Sequence, residues 1–502
     1  MSNVLTKTDF LVAKGCNKNA WLKVHKPEIY KQKELSAFEL NIIDTGNEID
    51  ELARELFPGG VLVEDRHDQA LTNELIAKRT PVIYQPVFIT DKYSSIADII
   101  VWNNRTETYD LYEVKSSTAT HEGEGGRRAE EYKNDVAFQK IVMDTLSVPV
   151  GTLNLVRLDK SYVRSGELSI DDLFIIKDIT EDVEAIVSDI TGQMAGVHEY
   201  INREQEPAGH CDCWMKSKSN HCTTFSYSNP ELPEYSVHQI SRIGNSPRKL
   251  TSLVESEIVD IHKVPHDFEL TDNQRRQVDV AQSGRTIIDS EGVDTFLERL
   301  EYPLAFIDYE TFPSAIPRYS GYHPYQQIPF QFSLHIIEEE GGEMTHAEFL
   351  HTENTDPDER FIEAIKNHLP ATGSVLVWSQ RFEKGINNQV AERLPHYQEF
   401  ITSIQDRIVD LIEPFDGKTA VYWHPAFLGK SSIKFVLPAL VPELSYKDLE
   451  VQEGGAAADT WNRIVSGEYS AEEAERKTNA LLKYCHLDTL AMVEIWKVLK
   501  QL

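Results

Sequence analysis

The most telling pattern in the chain is an alternation that breaks. In Leu304-Ala305-Phe306-Ile307-Asp308-Tyr309-Glu310, side chains two apart share one face of an extended strand. Leu304, Phe306, Asp308 and Glu310 therefore point one way and Ala305, Ile307 and Tyr309 the other, so an apolar face turns acidic at its C-terminal end. Onward from there the pattern reads strand (IPFQFSLHII), glycine turn (EEEGGEM), strand (HAEFLH), helix (PDERFIEAIKNHL), strand (SVLVWS), helix, and a long helical segment from Ser470 to Leu502. A β-meander followed by alternating helices and strands predicts a mixed α/β domain over residues 301–502.

Residues 1–225 also mix helical and strand patterns. A hairpin is legible in IADIIVWNNRTETYDLYEVKSS, where two runs rich in Ile, Val and Tyr flank the polar turn Asn103-Asn104-Arg105-Thr106. Over 226–300 the turn-rich SYSNPELPEYS gives way to short helical pieces such as DNQRRQVDVAQSG, with Gly284 as C-cap, which predicts a connector with small helices. This three-part division suits 502 residues at roughly 150 per domain. No heptad or fixed-period repeat is legible.

Composition narrows the function classes. Apolar residues at 41% and charged residues at 26% are ordinary for a chain that buries a core, so α/β globular structure is expected rather than disorder. No run approaches the ~18 apolar residues of a membrane span, and the N-terminus lacks a basic region followed by an apolar stretch. A cytoplasmic protein without membrane contact is the expectation. The net charge of −31 argues against coating nucleic acid through bulk positive charge, yet leaves room for a nuclease whose metal sites demand carboxylates. Five cysteines in so long a chain make no disulfide framework and are free for metal, redox chemistry or packing.

Asp308 and Glu310 would repel each other unless protons, solvent or a cation intervene, and a divalent metal is the usual compensator at a functional site. The plainer reading is a strand end reaching water. Downstream, Tyr484 and Asp488 lie four apart in a helical run, hence on one face, where a phenol can orient a water beside a metal-bound carboxylate. Glu383, in VLVWSQRFEK, falls in the first turn of a helix and alone reads as a solvated position. Together these segments resemble the DEDD exonuclease superfamily, with its RNase H-like fold: Asp308 and Glu310, then Phe382-Glu383, then Tyr484-x-x-x-Asp488, with RIVDL and SSIKFVLPAL between. The resemblance implies that Asp308, Glu310, Glu383 and Asp488 bind Mg²⁺ or Mn²⁺ and that Tyr484 orients the attacking water, two metals about 3.5–4 Å apart serving the displacement. Glu383 departs from the family's aspartate and moves its carboxylate by about one methylene.

In the N-terminal hairpin, Asp98 lies in one strand and Glu113 and Lys115 share a face of the next. A cross-strand ion pair would account for them. The helix YKNDVAFQKIV that follows carries Gln139, and this order resembles the PD-(D/E)XK nuclease fold in its RecB-like branch. The resemblance implies metal binding by Asp98 and Glu113, a lysine that steadies water or phosphate, and a supporting Gln139. Met143 stands where that branch has a tyrosine, and the early helix acid of TGNEIDELARELFPGG is either Glu48 or Asp50. Arg127 and Arg128 either meet phosphates or sit in a solvated loop.

Cys211, Cys213 and Cys222 cluster in GHCDCWMKSKSNHCTTFSY, and Cys16 lies far upstream. One early cysteine plus three late ones is similar to the four-cysteine iron–sulfur variants of RecB-like nucleases, which implies a [4Fe–4S] cluster stapling the ends of the domain. Zn²⁺ suits the same set, with His210 or His221 as substitutes, and no metal at all is the third reading. Cys485 reads as packing. The whole order resembles bacterial two-nuclease-domain proteins and implies a metal-dependent nuclease on DNA, more than on RNA, acting at single-stranded ends with a helicase or defence partner unspecified. The rival is a nucleic-acid-binding scaffold with decayed sites and a structural metal cluster, favoured by Glu383 and Met143.

Overall fold

The computed structural model describes residues 3–30, 37–119, 127–417 and 419–502, without the side chains of Ala37, Phe38 and Arg127. The chain is mixed α/β and divides into two compact units: residues 1–35, 39–231 and 315–325 in the first, and 36–38, 232–314 and 326–502 in the second. The short helices of the 226–300 stretch thus fall almost wholly within the second unit, and the segment 315–325 belongs to the first.

The first unit contains β1 (Leu5–Thr6), β2 (Val61–Leu62), β3 (Val82–Tyr84), β4 (Val87–Ile89), β5 (Tyr93–Ile96), β6 (Ile99–Asn103), β7 (Thr108–Ala119), β8 (Val150–Asp159) and β9 (Phe174–Asp178). Six of them form a sheet in the order β2-β3-β6-β7-β8-β9, with a small sheet β1-β5-β4 beside it in sequence. The β6–β7 pair is the predicted hairpin, antiparallel with Ile100 opposite Leu111. Alternation along the strands serves two covered faces. Leu111, Leu153 and Leu155 enter one core with Val136, Phe138 and Val142 of the helix Arg127–Thr145 and Ile190 and Met194 of the helix Thr180–Ile201. Val156 and Leu158 enter another with Ile49 and Ala53 of the helix Ala37–Arg54. Because Glu113 and Lys115 share parity with Leu111, they lie on the strand face that takes the helix Arg127–Thr145.

The second unit contains β10 (Ile287–Ile288), β11 (Leu304–Ser314), β12 (Gln326–Ile337), β13 (Met344–Leu350), β14 (Ser374–Val377), β15 (Ile408–Asp410) and β16 (Tyr422–Trp423). Its main sheet runs β13-β12-β11-β14-β15; the first three strands are antiparallel neighbours, and β14 and β15 continue in parallel. β10 pairs with β16, and Trp423 Nε1 donates to Asn273 Oδ1 at 2.8 Å, which ties the helix Asp272–Ser283 into this unit. That helix ends on Gly284 at φ 65°, the left-handed C-cap its sequence calls for.

Both faces of β11 are covered, as a central strand requires. Ala305, Ile307 and Tyr309 pack with Phe361 and Ile365 of the helix Asp358–His368 and with Ile386 and Val390 of the helix Gln380–Arg393. Phe306, on the other face, meets Trp496 of the 29-residue helix Ala471–Leu499 at 5.8 Å between rings. The strand runs on past Glu310 to Ser314, so the two acids lie within it rather than at an end reaching water, and its pairing with β12 shifts register between Glu310 and Thr311. Phe332 sits fully buried in this core against Phe349 and Phe361. Phe332→Ala is expected to destabilise the second unit by about 3–5 kcal/mol. Hydrogen exchange of the β11 and β12 amides reads that unit directly; unchanged protection would place Phe332 outside its core.

Candidate active sites and metal centre

The acidic face of β11 opens onto a cavity of about 290 Å³ lined by Asp308, Glu310, Phe382, Lys434, Tyr484 and Asp488, among others. Three segments converge here for local reasons. β11 carries its two acids on one face, and the final helix buries Tyr484 and Asp488 on one stripe together with Leu481 and Leu487. The helix Ile433–Leu440, within SSIKFVLPAL, brings Lys434, the one basic residue lining the cavity among the described residues. Glu383 is buried in the first turn of its helix; it does not line the cavity, but it feels the charge of Asp308. Asp410, in RIVDL, caps the same helix by accepting from Ser379 N at 2.9 Å and Gln380 N at 2.8 Å.

Electrostatics at this site are strained. Burial, and then the charge of Asp488, pushes Asp308 well above the usual carboxylate range. Glu310 is pushed up by burial, then by Asp308 and Asp488, against a smaller opposing pull from Lys434. Glu383 is raised by burial and then by Asp308. Asp488 rises to about 7 through burial, although hydrogen bonding from Tyr446, the Lys434 charge and the Tyr484 phenol oppose the rise. The Tyr446 hydroxyl donates to Asp488 Oδ1 at 2.6 Å, while Asp488 Oδ2 and Glu383 Oε2 are buried without a hydrogen-bond partner. Asp308, Glu310 and Cys485 can each offer a ligand atom, all within 4.8 Å of one another. Cys485 is also fully buried, its thiol 3.8 Å from the Asp308 carbonyl oxygen.

The first unit gathers its own constellation. Asp98 stands one residue before β6 rather than inside it, and its Oδ2 accepts from Val114 N at 2.8 Å. Glu113 Oε1 meets the ammonium groups of Lys115 at 2.7 Å and Lys7 at 2.9 Å, and its Oε2 accepts from Gln139 Nε2 at 2.7 Å. Asp135 pairs with both lysines and accepts from Gln139 Nε2 at 3.0 Å. Burial alone would raise Glu113, but the two ammonium groups and these hydrogen bonds outweigh it and hold the carboxyl well below its usual range. Asp98 goes the other way, raised by burial and then by Glu113.

Between the two early-helix acids the structure separates clearly. Asp50 is partly buried, pairs with Arg54, accepts from Gln85 Nε2 at 3.3 Å, feels the charge of Glu113 and in turn raises Asp98, whereas Glu48 is exposed. Met143 is fully buried in the core. Arg128 is described at the start of its helix, and the Arg127 side chain lies outside the described residues. Lys7, Asp135, Lys434 and Tyr446 are additions that sequence reading missed. Asp135 was detectable, since it precedes Gln139 by one helical repeat; Lys7 and Tyr446 come from distant or irregular segments with no local signal.

Cys16, Cys211, Cys213 and Cys222 each offer a sulfur within 4.8 Å of the others, and none is in a disulfide. Cys16 sits between the helices Lys7–Gly15 and Asn17–His25, and the 209–229 segment is lashed to that junction. Asn17 N donates to Asp212 Oδ2 at 2.7 Å, Lys216 Nζ to the Gly15 carbonyl at 2.7 Å, and Thr224 Oγ1 to Asn19 Oδ1 at 2.8 Å. Asn229 Nδ2 points at Cys211 Sγ from 3.5 Å. His210 instead stacks on Trp214 and His221 on Phe225. Four cysteines thus form a group able to hold a metal without either histidine.

Two buried polar constellations and a four-thiol group are therefore carried by a mixed α/β chain. A family model described as a domain of unknown function (DUF2779) matches residues 305–432, a span that includes Asp308, Glu310 and Glu383 and stops before Tyr484 and Asp488. No curated protein and no solved structure matches the chain.

Because its folded pKa, about 7, lies above the ordinary 3.8, Asp488 contributes stability at pH values below 3.8 and loses it as the pH rises through about 7. Metal-free Asp488→Asn is thus expected to be more stable than the metal-free parent at about pH 8, by on the order of 2–4 kcal/mol, with the advantage shrinking toward about pH 4. Thermal melting at both pH values checks this; an equal loss at both would mean that Asp488 is needed for packing instead.

Proposed function

We propose that this protein is a metal-dependent nuclease that hydrolyses phosphodiester bonds of DNA at single-stranded ends, with the DEDD-like site of the second unit as its working centre. The observation that carries the reading is the convergence of buried carboxylates from separated segments, with Asp488 Oδ2 and Glu383 Oε2 left without partners. Such a set fits hard divalent cations, which take oxygen ligands. Asp308, Glu310, Glu383 and Asp488 would hold Mg²⁺ or Mn²⁺, and ions bound there supply activation of a water and stabilisation of the leaving oxygen.

The chain's own residues then have defined work. Tyr484 presents a phenol beside Asp488, suited to orienting the attacking water, and Tyr446 fixes the Asp488 carboxylate by its hydrogen bond. Lys434 offsets part of the negative charge and faces the cavity where a phosphate would enter. In the reaction the water oxygen bonds to phosphorus, the bridging P–O bond breaks, and the leaving oxygen takes up a proton. The longer Glu383 in place of aspartate is accommodated as a buried acid coupled to Asp308.

A second reading attaches to the first unit, whose RecB-like arrangement supports binding of nucleic acid without cleavage. Both oxygens of Glu113 are already engaged, by two ammonium groups and an amide, so a metal there would have to displace Lys7 or Lys115. For the cysteines, four thiolates are the ordinary ligand set of [4Fe–4S], and the proposal takes that cluster over Zn²⁺.

Anaerobically purified protein with Mn²⁺ and 5′-labelled single-stranded DNA tests the proposal. Asp308→Ala is expected to lose product on the order of 100-fold or more, and Glu113→Ala to retain cleavage. Equal cleavage by wild type and the double variant would overturn the nuclease reading, and cleavage lost only in Glu113→Ala would move it to the first unit. In the same preparation, a brown, reducible visible absorption that Cys16→Ser abolishes is the result expected for an iron–sulfur cluster. Colourless protein with one equivalent of zinc would replace it with the zinc site.

A further inference from the structure

Besides both acidic constellations and the four thiols, the chain holds a fourth set of side chains able to ligate a metal, in the second unit. β12 and β13 pair in a register that sets His335 directly opposite His346. The helix Ala471–Leu499 crosses that face of the sheet and contributes His486. One ring nitrogen from each of the three histidines lies within 4.8 Å of the others, and the ring centroids are 4.4 to 4.8 Å apart.

The geometry is specific. His486 Nδ1 lies 3.2 Å from His346 Nε2. Two nitrogens bound at 2.0–2.1 Å to one tetrahedral ion would stand about 3.3 Å apart, which this separation matches closely. His335 Nδ1 is engaged by Thr489 Oγ1 at 2.8 Å, which leaves Nε2 as its second nitrogen. Thr489 Oγ1 also meets Ser333 Oγ at 2.7 Å, and Ser333 Oγ reaches His346 Nε2 at 3.0 Å. For His335, a ring fixed through its other nitrogen by a hydroxyl is what an outer shell does for a histidine ligand, whereas the Ser333 hydroxyl shares the His346 Nε2 that an ion would take and would turn aside on binding. His335 is buried, His486 half-buried and His346 exposed, so the group has an inner anchor and a route from solvent.

We infer that His335, His346 and His486 form a binding site for a divalent transition-metal ion of the zinc type, with three imidazole ligands and a fourth position open to water. Imidazole selects Zn²⁺ and its neighbours over Mg²⁺, which prefers oxygen, so this site and the carboxylate site would take different ions. Neither the donor set nor the location rests on the nuclease reading. An ion here would pin β12 and β13 to the helix that carries Tyr484 and Asp488.

The test uses chelator-stripped full-length protein with excess Mg²⁺ to fill oxygen-ligand sites, titrated with Co²⁺ as the probe. Wild type is expected to bind one Co²⁺ more than His346→Ala, the extra ion giving visible bands of a tetrahedral site without the near-ultraviolet charge transfer of thiolate ligands. His486→Gln should lose the same ion, each variant weakening binding by about 100-fold or more. Matching metal-free melting curves confirm that the variants fold. Wild type without the non-thiolate bands, or the same number of Co²⁺ ions in wild type and both variants, would overturn the site and leave a hydrogen-bonded histidine cluster.

Discussion

The constraint on which the second unit turns is the burial of like charge within a central strand. β11 must be apolar on both faces to sit between the helices that cover it, yet it carries Asp308 and Glu310 on one of those faces, within the strand. Desolvation makes each charge costly, and their mutual repulsion, joined by Asp488, adds to that cost. A fold that needed only stability would replace these acids with apolar side chains of similar size. Instead the surrounding elements supply one lysine, one short phenol hydrogen bond and two carboxylate oxygens without partners. The shortage of positive charge is the chemical content of the site.

The first unit solves a comparable problem differently. Glu113 is also buried, but Lys7, Lys115 and Gln139 satisfy both of its oxygens, and its carboxyl is held ionised rather than pushed toward neutrality. The contrast is physical: one constellation is compensated from within the protein, and the other is left open to compensation from outside. Asp98, raised by burial and by Glu113, is the part of the first constellation that most resembles the second.

Much of this was legible because strand and helix periodicities are rigid. Period two placed Asp308 and Glu310 together, and the four-residue step of a helix placed Tyr484 with Asp488 and, unnoticed, Asp135 with Gln139. That Asp50, rather than Glu48, comes within reach of the Glu113 charge lay in helix phase, since Ile49 and Ala53 face the core and Asp50 lies next to that stripe with Arg54 one repeat on. What no periodicity encodes is closure between distant segments. Lys7 lies more than a hundred residues from Glu113, Tyr446 reaches Asp488 from an irregular stretch, and the three histidines meet through a strand register and a helix crossing. Cysteine clustering gave three of the four thiols a common neighbourhood, but only the contacts of Asn17, Asn19 and Gly15 with the 209–229 segment bring Cys16 to them.

The four thiols and the N-terminal constellation are mechanically connected, which bears on what a metal at the cysteines does. Cys16 ends the helix that begins with Lys7, so the same nine-residue element carries a sulfur at one end and a partner of Glu113 and Asp135 at the other. Phe10 and Ala13 bury its middle in the core with Phe138 of the helix that bears Gln139. A helix held at its C-terminal end by a metal–thiolate bond and in its middle by packing has little freedom left for Lys7. Metal at the cysteines would therefore stabilise more than a surface loop: it would restrain the helix that carries Lys7, one of the two ammonium groups that compensate Glu113.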